Sequence, residues 1–233
     1  MDDIRRQVAL GCQALAFAGQ SDLIWGHVSV RDPDGRGVWM KAAGLGFDEV
    51  TADSVILVSP DGELLEGEGK VHVEYPIHTE IIRARPDVAA VVHSHAKGTV
   101  AFGATNLPMR PIGHEATLFG PPDIVRFTET GDLIRTPKMG ATMALALRDR
   151  NAMLLVNHGM VAVGHDVPTA IITAIMLERA CRLQLTVEAT GANYSWSSDA
   201  EALEKRENCY GPNQIAAAWK YLVRKIEAAG AQP

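Results

Sequence analysis

The chain has 233 residues, 47% of them apolar and 21% charged, with a formal net charge of −6. That balance is the one of a soluble globular protein whose core stands without disulfide staples. The acidic excess argues against a nucleic-acid partner, and no apolar run nears the roughly 20 residues that span a membrane.

Residues 3–18 place Ile4, Val8, Cys12 and Leu15 along one side and stop at Gly19, which predicts an amphipathic helix. The stretch MDDIRRQVALGCQ opens on two acids and lacks the apolar core of a signal peptide. Cysteines at 12, 181 and 209 match no paired zinc spacing and are expected as reduced thiols in a cytoplasmic protein. HVSVR and GVWMKA read as strands joined by Asp32-Pro33-Asp34-Gly35, a turn-forming run. SVILV and ELLEG form a second predicted hairpin across Asp61-Gly62. Residues 74–85 read as a helix, with Pro76 near its start, Ile77, Ile81 and Ile82 on its apolar side and Pro86 as its end. A strand through Val91 and Val92 follows, then a helix around 138–148. Two short strands flank Asn157-His158-Gly159, and helices are predicted over 167–189 and 212–228. No repeat or low-complexity linker interrupts this order. The expected class is therefore α/β, one domain over 1–233, with an antiparallel or mixed sheet covered by helices.

Eight histidines occur, and the pair in VVHSHA stands out. On a strand, His93 and His95 point the same way, because side chains repeat every two residues. His158 also ends an apolar strand, just before a glycine. Three imidazoles at strand ends supply a facial set of nitrogens and leave an open position for substrate, as a catalytic divalent site requires. A His-x-His-x-Asp binuclear hydrolase is disfavoured, because Lys97 stands where the second metal's aspartate belongs.

The segments GHVSVRD, Glu74 leading a helix that ends in ARPD, VVHSHA and LLVNHG occur in the order of the class II aldolase/adducin family, which the chain resembles from about residue 3 to 190. The resemblance implies an α/β/α domain with a central, mostly antiparallel sheet, assembled as a homotetramer with active sites between subunits. It implies one divalent metal ion per subunit held by His93, His95 and His158, with zinc, manganese, iron and cobalt all suited to that ligand set. Glu74 matches the family's acid/base carboxylate. The C-terminal segment 195–233 is expected to close over the site, bringing Tyr210.

Departures from the family's phosphosugar aldolases bear on the substrate. Their phosphate grip uses Asn, Thr-Gly and Ser-Ser donors; this chain has His27, Ala43-Gly44 and His72-Val73 in those places. Alanine and valine side chains cannot hydrogen-bond a phosphate, and anion recognition needs such donors. His114 stands where bacterial aldolases place a tyrosine, and is assigned as a second acid/base or a carboxylate-binding group. The branch this pattern resembles decarboxylates hydroxylated aromatic or pyridine acids, such as dihydroxyphthalate or hydroxymethylpyridine-dicarboxylate. Substrate contacts are assigned to His27, Arg31, Gly44, Lys97 and Tyr210, with Arg110 as another cation and Trp25, Met40 and Phe119 as apolar walls. His78 and His165 are expected to pack and to be solvated, respectively. The expected partner is thus a small carboxylic acid. Alternatives are an aldolase acting on an unphosphorylated hydroxy-ketone or keto acid, and a non-catalytic adducin-like binding module.

Overall fold

Apolar residues alternate sides along the short strands, and the two sets bury two separate cores. In β1 (His27–Arg31) Val28 and Val30 enter one core, and in β5 (Ala90–Ser94) Ala90 and Val92 join them while Val91 enters the other. In β8 (Gly159–Gly164) Met160 and Ala162 divide in the same way from Val161 and Val163. The computed structural model, which describes residues 2–230, accordingly has three layers, with helices on both faces of one eight-stranded sheet. With β2 (Val38–Lys41), β3 (Val55–Val58), β4 (Leu64–Glu66), β6 (Val125–Phe127) and β7 (Ala152–Leu155), the strand order is β4-β3-β2-β1-β5-β8-β7-β6. Every pairing is antiparallel except β6 with β7.

One core lies under α1 (Asp2–Phe17), α5 (Val167–Glu188) and α7 (Pro212–Ala228); the other lies under α2 (Tyr75–Ala84) and α4 (Pro137–Leu147). Each fully buried Leu, Ile or Val contributes about 1.5–3 kcal/mol. The long α5 starts where Asp166 accepts the Thr169 N–H at 2.8 Å, with Pro168 in a first turn that has no donor to lose. The predicted helices and hairpins occur within one or two residues of their expected bounds.

Three elements lack a legible signal. α3 (Lys97–Gly103) contains two glycines and no helical period; the Glu178 carboxylate of α5 holds it by accepting the Gly98 and Thr99 N–H groups at 3.0 and 2.8 Å. β6 has three residues, too few to show alternation. α6 (Asp199–Cys209) is polar and buries only Ala202.

Within one chain, the described part of the segment beyond residue 195 packs away from the histidine rim. α7 lies against α1 and α5, and α6 against the single turn Glu115–Leu118, where Arg206 donates to Thr117 O and Pro121 O. Residues 231–233 of the predicted segment lie outside the described residues. No helix among the described residues is long and apolar enough to cross a membrane.

All three cysteines are free thiols, as expected; Cys12 and Cys181 are buried, and burial pushes Cys12 up to about 12 and Cys181 further still. Only the thiolate reacts. A thiol reagent is therefore expected to modify Cys209 alone in native protein at pH 8, and all three after unfolding. Three fast thiols in the native state would show that these cores open readily.

Candidate metal centre

The rim formed by the end of β5 and the start of β8 gathers the chemistry. His93 is paired with His27 of β1 on one side and Val161 of β8 on the other, and faces the α2 layer. His95 follows the strand end. His158 sits in the β7–β8 turn beside Asn157, whose φ of 60° turns the chain sharply. Gly159 is required there: a Cβ would lie 2.5 Å from Ser94 O and 2.9 Å from the His95 ring. Glu74 occupies the position before α2 but does not cap it; its Oε1 accepts the Ile134 N–H at 2.8 Å. One ligand atom from each of Glu74, His93, His95 and His158 lies within 4.8 Å of the others.

Hydrogen bonds fix which nitrogens face inward. His93 Nδ1–H donates to Met160 O at 3.0 Å, and His95 Nδ1–H to the Asp22 carboxylate at 2.9 Å. Each ring thus turns its Nε2 inward, and the two nitrogens stand 3.0 Å apart. Burial, opposed by the Glu74 charge, pushes His93 well below the usual imidazole range. Both ring nitrogens of His158 are buried without a hydrogen bond. Each such group costs about 1–3 kcal/mol when unpaired. Glu74 Oε2 lies 3.7 Å from His93 Nε2 and Oε1 lies 3.6 Å from His158 Nε2. Burial would raise this carboxyl, yet His158, His93 and the Ile134 N–H outweigh it and hold it at about 2. Converging ring nitrogens and one fixed carboxylate fit a divalent cation.

The sequence profile of the class II aldolase and adducin N-terminal domain matches residues 6–185. The chain belongs to the class II aldolase/adducin family. It is 32% identical over 241 aligned residues to a 3,4-dihydroxyphthalate decarboxylase of Arthrobacter keyseri, covering 97% of this chain and 94% of that protein. It is 31% identical to the decarboxylase NovR of Streptomyces niveus, over 91% of this chain and 81% of that one. Among solved structures, an aldolase II superfamily protein from Pseudomonas syringae superimposes with a TM-score of 0.89 at 27% identity, covering 99% of this chain and 94% of the other.

Around this cluster the remaining assigned residues divide. His27 is buried beside it, with Nε2 4.0 Å from Glu74 Oε2. Lys97 is exposed on the rim of a cleft of about 530 Å³ that His95 and His158 also line. Gly44 has a φ of 93° and open space where a Cβ would be. Arg31 is a correction: it lies at the opposite end of β1, where its guanidinium donates to Ile82 O, Arg85 O and Val88 O, and it is a structural clamp. His114 is exposed and meets Cys209 Sγ at 3.2 Å, and Tyr210 Oη lies 3.9 Å from Met176 Sδ on α5; within one chain neither reaches the cluster. Met40 and Phe119 are core residues, and Arg110 stacks 4.4 Å over Trp196, whereas Trp25 does line the cleft. His165 is exposed as expected.

Asp22 escaped the sequence reading because only the folded chain brings it to His95. Its carboxylate fixes the tautomer that leaves His95 Nε2 free. Asp22→Asn is expected to weaken divalent-ion binding roughly 10–100-fold, measured by competition with a chelating dye; unchanged affinity would show that His95 needs no such support.

Proposed function

We propose that the chain is a metal-dependent carbon–carbon lyase that decarboxylates a hydroxylated aromatic or heteroaromatic carboxylic acid. The observation that carries this is an ionised carboxylate, Glu74, beside three inward-facing imidazoles at a cleft whose rim bears a cation and an aromatic ring. His93, His95 and His158 are the proposed ligands of one divalent ion. When bound, that ion supplies Lewis-acid stabilisation of an oxyanion. Relatives named as decarboxylases support the choice of reaction, and the lost phosphate-binding donors support an unphosphorylated substrate.

The chain's own groups then divide the work. Trp25, Val100 and Leu133 give the cleft flat apolar contact for a ring. Lys97 recruits the anionic acid and, in a diacid, holds the carboxylate that stays behind. Glu74 takes the phenol proton and delivers it to the ring carbon that bears the leaving carboxylate. In that keto form the carbon–carbon bond breaks, carbon dioxide departs, and the bonding pair restores the ring as a phenolate, which takes a proton from water. His114 and Tyr210 can take part only from a neighbouring subunit of a homotetramer.

The test is carbon dioxide release from a panel of hydroxybenzoates, hydroxyphthalates and pyridine carboxylates. Release is expected from at least one acid, abolished by a chelator and restored by zinc, manganese, iron or cobalt. Lys97→Met is expected to raise KM about two- to fivefold with a smaller effect on kcat. An aldehyde product from a hydroxy-ketone or keto acid, without gas from any acid, would replace this reading with the aldolase.

A further inference from the structure

Behind the metal-facing rim, three buried polar side chains form a chain that the reaction above does not use. His78 is on the first turn of α2 and fully buried; Ser29 is in the middle of β1, also fully buried. Ser29 Oγ lies 2.6 Å from His78 Nδ1, and His78 Nε2 lies 2.6 Å from His27 Nδ1. His27 and Ser29 are two residues apart on β1, so both face α2, and His78 bridges them. His27 Nε2 then points toward Glu74 Oε2, at 4.0 Å.

A chain of neutral imidazoles must run one way. If His27 donated through Nδ1, its Nε2 lone pair would face the Glu74 carboxylate, which only accepts. In the opposite direction every contact has one donor and one acceptor. The Ser29 hydroxyl donates to His78 Nδ1, His78 Nε2–H donates to His27 Nδ1, and His27 Nε2–H faces the carboxylate. Both rings are buried, and burial holds His78 down at about 3. Ser29 is enclosed, so the chain has no outlet to solvent and does not conduct protons.

We propose that Ser29 and His78 are positioning residues that lock His27 as an Nε2–H donor aimed at the space beside Glu74, where it receives an oxyanion of the substrate. The 4.0 Å gap is too long for a hydrogen bond and leaves His27 free to donate to a bound carboxylate or phenolate oxygen. A fixed donor costs no reorganisation when charge develops on that oxygen. The substrate part of this proposal rests on the decarboxylase reading; the tautomer part does not.

Long-range ¹H–¹⁵N spectra of histidine-labelled protein read the tautomers directly, with His27→Asn and His78→Asn used to assign the signals. His27 and His78 are both expected as Nε2–H tautomers. His27 found as the Nδ1–H form, or averaging between forms, overturns the lock. In kinetics, Ser29→Ala and His78→Phe are each expected to lower kcat roughly tenfold with metal content unchanged, and the double variant to fall no further than His78→Phe. Ser29→Thr restores the hydroxyl and is expected to recover most of the loss. Equal losses in Ser29→Ala and Ser29→Thr overturn the role of the hydroxyl. Protein that releases no carbon dioxide from any acid but shows the expected tautomers supports the lock and removes only the decarboxylase reading.

Discussion

His158→Ala is expected to lose both the bound divalent ion and at least about a thousandfold of activity, since it removes one of three nitrogens that define the open coordination face. The reason lies in what the imidazole does without an ion. Both of its nitrogens are buried with no hydrogen bond, and Gly159 next to it is squeezed against Ser94 and His95. Its nearest partner, the Glu74 carboxylate at 3.6 Å, lies beyond hydrogen-bond reach, the spacing of two groups that share an ion rather than a proton. Stability gives a second readout. At a thousandfold excess over Kd, an ion that binds only the folded chain adds about 4 kcal/mol. For a chain of this size that is a Tm shift of about ten degrees. Chelation is expected to lower the Tm of the wild type by this order and to leave His158→Ala unmoved. An equal shift in both would place the ion elsewhere.

Glu74→Gln is expected to lower kcat by about 10²–10⁴-fold, the usual contribution of a positioned acid/base. The substitution keeps the volume, and the amide oxygen can still accept the Ile134 N–H that Glu74 Oε1 accepts. The fold is therefore expected to survive, and far-ultraviolet circular dichroism with Tm checks that it does. What the amide cannot do is take a proton from the substrate. Retained ion binding with lost turnover is the expected result. Loss of the ion together with activity would instead make Glu74 chiefly a ligand, and undiminished turnover would remove it from the chemistry.

The site shows where local reasoning stops. His93, His95 and His158 were legible because each terminates an apolar strand, and strand periodicity alone says where such side chains point. Glu74 was legible only through its family motif; by itself it is an acid at a helix start. His78 looks in the sequence like a packing residue one turn along α2, and Ser29 like any polar residue on a strand. Their meaning depends on β1 lying under α2, a juxtaposition across about 50 residues that no local pattern encodes. Arg31 failed in the opposite direction: its type suited an anion, but β1 carries it to the rim remote from the histidines.

By itself the sequence determined most strands and helices, the α/β class and the three imidazoles, because alternation, capping and turn chemistry are local properties. Only the tertiary structure decided that β5 is flanked by β1 and β8, so that His27, Glu74 and Asp22 converge on the same rim. Strand order and facing depend on how two cores are buried at once, and that is a property of the whole chain.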